Sequence, residues 1–207
     1  MSIQINYNRK QESNIVISKP SASEVEKYLK TWKNLKNYQL QEDALDKLFF
    51  ELLPSNEEIS DILLKVATLN DFYSTNIFSV YPVAEHILSL KIDERLRQGD
   101  VTLVNEIQNV TINGVTRKFY SFSTKYCSHH NPKEYPIYDS YVEKVLKYFR
   151  KTDKFSNFKN ADLKDYQKFK NIIIAFREYY GLEEFNLKEI DQYLWQLGKE
   201  YFPNKYK

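Results

Sequence analysis

Glycine is scarce in this chain, with four in 207 residues, and no other feature limits the fold so strongly. Sandwiches and barrels reverse direction at many tight turns, and the favoured hairpin turns need residues at ease with positive φ. A chain with so few of them runs mainly as helices. The exception is NVTINGVTRKF at 109–119, where β-branched residues flank Asn113-Gly114, the pair best suited to a type I′ turn. With 207 residues, 42% apolar and 28% charged, the expectation is a compact, mostly α chain of one domain or two tightly packed lobes, carrying one short β-hairpin.

The apolar spacing marks the elements. Ser21 or Ser23 can cap a helix through Asn37, with Glu24 and Glu26 favourably placed in its first turn. Leu45, Leu48, Phe49 and Leu52 share one helical face that stops at Pro54. SNEE at 55–58 reads as a capping-box start leading into Ile59, Ile62, Leu63 and Val66. Pro82 belongs to the first turn of a helix through Leu90, and helices are expected at Phe119–His130 and Ser140–Lys151. Two more are expected over 162–180 and 187–202, with Gly181 closing the first. The polar, aperiodic KTDKFSNFKNADLK reads as a linker, so the chain divides into an arm (1–20), a helical core (21–153) and C-terminal helices packed on that core (154–207).

Several classes fall away on composition. A single cysteine, Cys127, excludes an internal disulfide and any four-cysteine metal cluster. Cys127, His129 and His130 form only a C-x-H-H group with no second ligand pair, so neither a bound metal nor a cofactor is expected. His86 is expected to be structural. The N-terminus lacks an export core and no apolar run is long enough to span a bilayer, so cytoplasmic residence with no membrane partner is expected; the chain is also expected to be a monomer. Nine Lys or Arg against four Asp or Glu between Gly114 and Lys154, in a chain of net charge +2, make a basic zone suited to a polyanion or equally to solvent.

Two residues carry chemistry. Lys125 lies in FYSFSTKYCSHHNP, an aromatic run that reads as a buried helix ending at Pro132, and Asp139 opens the next helix in YPIYDSYVEKVL. Neighbouring aromatic rings would desolvate the amine, and a neutral amine can attack the anomeric carbon of a nucleotide. Asp139 can orient that amine and stabilise positive charge on the sugar, while also serving as an ordinary N-cap.

The order of these parts resembles the helix–hairpin–helix DNA glycosylase superfamily, which includes the endonuclease III and 8-oxoguanine glycosylase types. YPIYDSYVEKVL is similar to that family's Pro-Val-Asp-Thr-His-Val-x-Arg-Val segment and puts Asp139 on its catalytic aspartate. STKYCS resembles Gly-Arg-Lys-Thr-Ala and puts Lys125 on the Schiff-base lysine. FYSTNIFSVYPVAEHIL resembles the Leu-Ser-x-Gln/Asn helix start and puts Asn76 on the residue that fills the gap left by an extruded nucleotide. The resemblance spans roughly residues 60–150 and implies a two-lobed helical bundle of the DNA-glycosylase type with one short β-hairpin, a DNA glycosylase with or without lyase activity, acting on double-stranded DNA. The sequence departs from the family in two places: VTRKFYSF stands where the glycine-rich hairpin is expected, and Lys125 and Asp139 are only fourteen residues apart.

Tyr73, Phe122, Tyr126 and Tyr138 are candidates to sandwich an everted base, and His129 or His130 to reach a phosphate or base edge. Arg117, Lys118, Lys144, Lys147, Arg150 and Lys151 are candidates for the DNA backbone. Two other readings stay open, a non-catalytic duplex-binding module on the same scaffold and an aromatic cleft that binds a peptide.

Overall fold

The helix that carries Lys125 is buried almost all round, and the rest of the molecule is built about it. In the computed structural model, which describes residues 16–203, this helix is α7 (Tyr120–His130), and nine of its eleven residues are buried. A helix can sit in a core only if its polar groups find partners. Here Ser123 Oγ donates to Phe119 O at 2.9 Å and Thr124 Oγ1 donates to Ser121 O at 3.0 Å.

Around α7 the order is α1 (Ala22–Trp32), α2 (Lys36–Asp46), α3 (Ile59–Tyr73), α4 (Val80–Leu90), α5 (Asp93–Gln98), α6 (Thr102–Ile107), β1 (Asn109–Ile112) and β2 (Val115–Lys118). After α7 come α8 (Ser140–Thr152), α9 (Tyr166–Tyr179) and α10 (Leu187–Tyr201). The fold is mostly α with one antiparallel hairpin, as the glycine count implies. Asn109 pairs with Lys118 and Ile112 with Val115, while Asn113 and Gly114 take φ of 51° and 76° at the turn. Helix α10 lies against α1 and α8, α3 pairs with α4, and α7 touches α3, α5 and α6.

Three local expectations are corrected. The first helix stops at Trp32 rather than Asn37, because Asn34 Nδ2 donates to Lys30 O and the chain turns before α2. Helix α2 then widens into a π-helical turn at Lys47–Leu52, where Leu53 N donates to Leu48 O. Leu45 and Phe49 stay buried, but Phe50 and Leu52 face outward. SNEE forms no capping box. Glu58 is the N-cap of α3 without a side-chain bond, and Asn56 turns inward to Lys65 and Asp93.

The supposed linker at 151–164 is anchored. Phe155 and Phe158 are buried, Phe155 meets Phe176 edge-on with centroids 5.3 Å apart, and Arg150 donates to Phe158 O at 2.7 Å. Of the N-terminal arm, residues 1–15 lie outside the described residues. Within the described part, Ile17 is buried and its N–H donates to Tyr148 Oη at 3.1 Å. Among the described residues no helix is long and apolar enough to cross a membrane.

Candidate functional site

Helix α7 fixes the segment that delivers Asp139. Thr124 Oγ1 accepts from Tyr138 N at 3.1 Å, while Ser121 Oγ and Lys125 Nζ both donate to Tyr138 O at 3.3 Å. One residue earlier, Ile137 N donates to Asp191 Oδ2 at 2.6 Å, so the extended stretch before α8 is gripped from α7 and α10 at once. Asp139 then caps α8 by accepting from Tyr141 N at 2.8 Å. The packing of α10 on α8 needs Gly198, since a Cβ there would stand 2.6 Å from Tyr141 O.

These constraints bring Lys125 Nζ to 3.9 Å from Asp139 Oδ2. The amine also donates to Ser121 Oγ at 2.6 Å and lies 5.1 Å from the Tyr73 ring centre. Burial lowers the Lys125 pKa, and Asp139 and Asp191 oppose that shift. Lys125 and Asp139 line one cleft of about 390 Å³, closed in by α2, the end of α3, α7, the start of α8 and α10. Its mouth is aromatic. Trp32 stacks on Tyr38 at 6.0 Å, and Trp195 meets Trp32 and Tyr38 edge-on at 5.7 and 5.1 Å. Glu42 ties these parts together, accepting from Trp32 Nε1 at 3.0 Å and pairing with Lys188 at 2.5 Å. Lys199 Nζ sits 4.3 Å over the Tyr38 ring.

Of the residues expected at the site, Lys125, Asp139, Tyr73 and His129 meet in this cleft. Tyr73 Oη and His129 Nε2 are 2.9 Å apart, and burial drives the His129 pKa down to about 3, so the imidazole is neutral.

Other candidates are placed elsewhere. Phe122 and Tyr126 are sealed in the core, Tyr126 Oη donating to Asn56 Oδ1 at 2.5 Å, so neither ring can sandwich a base. Tyr138 contributes its backbone, while its ring is wedged between Tyr120 and Phe169 with centroids at 4.9 and 5.6 Å. His130 turns to a separate buried polar group, 3.2 Å from Asn56 Nδ2 and 3.5 Å from Lys65 Nζ. Asn76 is exposed in the loop after α3, at a left-handed φ of 59°, rather than at a helix start.

The α8 cations do not form an outward row. Lys144 donates to Phe202 O, Lys147 pairs with Glu143, and Arg150 holds Phe158 O. Lys151 on α8 and Arg117 and Lys118 on β2 are exposed. Cys127 is buried in the core.

The sequence reading missed Asp191 and the aromatic mouth. Asp191 is buried in the cleft wall, yet its Oδ1 has no hydrogen-bond partner, and burial raises its pKa to about 8. A signal was present: Asp191 interrupts the face that Ile190 and Leu194 mark as buried on α10.

Residues 24–134, from α1 through α7, match the protein-family model HI_0787_N, described as an N-terminal domain. The chain is also similar to an uncharacterized protein of Haemophilus influenzae, 57% identical over 146 residues that make up 70% of each chain. No solved structure matches it. The family match covers more than half of the chain and includes Lys125, so the protein belongs to the HI_0787_N family.

Proposed function

We propose that the protein is a DNA glycosylase that removes a damaged or modified base from duplex DNA through a lysine Schiff base, working as a cytoplasmic monomer. The observation that carries this reading is the 3.9 Å approach of Lys125 Nζ to Asp139 Oδ2 in a cleft of about 390 Å³. That volume suits a small, largely enclosed ligand such as an everted nucleoside. The resemblance of the two segments bearing these residues supports it further. Tyr73, Trp32, Tyr38 and Trp195 offer aromatic surface for the base.

The chemistry follows from the placement. Burial favours the neutral amine, whose lone pair attacks C1′. The C1′–base bond breaks and its electron pair leaves with the base. Asp139 accepts the proton lost by the amine and faces the positive charge that grows on the sugar. Asp139 returns that proton to O4′ as the sugar ring opens, leaving an imine between C1′ and Lys125. Asp139 then takes a C2′ proton, the C3′–O bond breaks so that the 3′ phosphate leaves with its electron pair, and water adds to the imine to release the lysine.

Borohydride reduction in the presence of an abasic duplex tests this reading. A covalent protein–DNA adduct is expected with the native chain and none with Lys125→Gln. An undiminished adduct in Lys125→Gln removes Lys125 from the role.

A further inference from the structure

Among the described residues, three buried side-chain atoms lack a hydrogen-bond partner, Arg177 Nε, Asp191 Oδ1 and Tyr193 Oη, and of these residues Asp191 alone lines the cleft. Its other oxygen is engaged, accepting from Ile137 N at 2.6 Å, so the carboxyl group cannot simply swing away. Buried polar atoms in folded proteins are almost always paired, and an exception at a cleft wall points to a partner supplied by a ligand. Asp191 also reaches the cleft from α10, whereas Lys125 reaches it from α7.

A glycosylase has two tasks at one bond, to supply electrons to C1′ and to make the base a stable leaving group. Lys125 and Asp139 cover the first. Resting on the glycosylase reading, we infer that Asp191 is the general acid that protonates the departing base. The Asp191 O–H bond breaks and its proton goes to a nitrogen or carbonyl oxygen of the base. The electron pair of the C1′–base bond leaves with that base, and the Lys125 amine supplies the pair for the new C1′–N bond. Asp191, left as a carboxylate, regains its proton from water once the base has gone.

The surroundings suit an acid. Burial pushes the Asp191 carboxyl up to about 8, against the pull of the Ile137 amide and Lys125. The groups facing it are Lys125 of α7, Asp139 before α8, Tyr73 of α3, Tyr166 of α9 and Lys188 on α10 itself. An acid with a pKa near the working pH is protonated often enough to act and releases its proton readily. Two carboxyls that flank one amine in different environments, one capping a helix and one buried without a full set of partners, are the arrangement from which divided roles arise.

The test compares native protein with Asp191→Asn on three duplex probes: an abasic site, 7-methylguanine, and a panel of neutral bases comprising uracil, hypoxanthine and 8-oxoguanine. General-acid groups contribute about 10²–10⁴-fold. Release of the neutral base that the native protein removes fastest should therefore fall by at least about 100-fold in Asp191→Asn. The 7-methylguanine base is already cationic and needs no added proton, and the abasic site has no base to protonate. Losses on both should stay within about tenfold, far short of a general-acid effect. In native protein, neutral-base release should decline as pH rises through 8 while adduct formation on the abasic site does not, a profile that a purely structural Asp191 would not give.

Equal losses on all three probes, or native release of neutral bases without that alkaline decline, overturn the assignment. Abasic-site adducts without release of any panel base overturn it as well. If native protein forms no adduct at all, the glycosylase reading itself has failed, an outcome separate from the others.

Discussion

Replacing Asp191 by Asn should make the protein more stable at neutral pH, and the gain should vanish in mild acid. The Asp191 carboxyl has a pKa of about 8 in the fold against 3.8 in an ordinary setting. Such an acid keeps its proton when folded, whereas the unfolded chain loses it first, so stability falls as pH rises from about 4 to about 8. At 1.36 kcal/mol per unit, the penalty is about 4 kcal/mol at pH 7 and about 1.5 kcal/mol at pH 5.

Asparagine never ionises, and its carbonyl oxygen can still accept from Ile137 N. Its amide protons, however, would enter a place where Asp191 Oδ1 finds no partner, at a cost of about 1–3 kcal/mol. The net change is a gain of about 1–3 kcal/mol at pH 7, and at pH 5 it lies between a gain of about 0.5 and a loss of about 1.5 kcal/mol. For a chain of this size that is a rise in Tm of about 2–12 °C at pH 7. Thermal and urea unfolding of both proteins at pH 5 and pH 7 measure it. If Asp191→Asn is destabilised, and more so at pH 7 than at pH 5, Asp191 is a charged partner of Lys125 and the reasoning is refuted. A substitution that stabilises the fold while removing the proposed acid is what a trade of stability for function predicts.

Two further substitutions separate architecture from chemistry. Asp139→Ala removes the N-cap of α8 and should lower stability by about 1 kcal/mol, whereas Asp139→Ser keeps a capping oxygen and should stay within about 0.5 kcal/mol of native. Both should lose the borohydride adduct, so full adduct in the serine variant would reduce Asp139 to a cap. Gly198→Ala drives a methyl group to 2.6 Å from Tyr141 O and should destabilise by about 1–3 kcal/mol in urea unfolding. An unchanged midpoint there would mean that α8 and α10 can part without loss.

What could be read from the sequence was what is local. The Asn113-Gly114 turn, the Asp139 cap of α8 and the closing Gly181 each depend on a few neighbouring residues, and the structure has all three. The meeting of Lys125 and Asp139 was legible for the same reason, since both belong to consecutive elements.

The π-helical turn at Lys47–Leu52 was not legible, because its apolar spacing suits an ordinary helix and only packing around Phe49 chooses between them. Phe122 and Tyr126 were misread because an aromatic residue on a helix looks the same whether it faces a cleft or the core. The mouth could not be assembled at all. Trp32 and Tyr38 come from one end of the chain and Trp195 from the other, and nothing local says that they touch.

The double grip on Tyr138 has a consequence for how such a site can diversify. Ser121, Thr124 and Lys125 hold the backbone that presents Asp139, so the Lys125–Asp139 pair is inherited as one continuous stretch of sequence. A residue gained or lost between Asn131 and Ile137 would shear amine from carboxylate, and no distant change could restore them. Trp32, Glu42, Trp195 and Lys199 stand outside that stretch and can drift one at a time, reshaping the mouth of the cleft while leaving the Lys125–Asp139 geometry as it was.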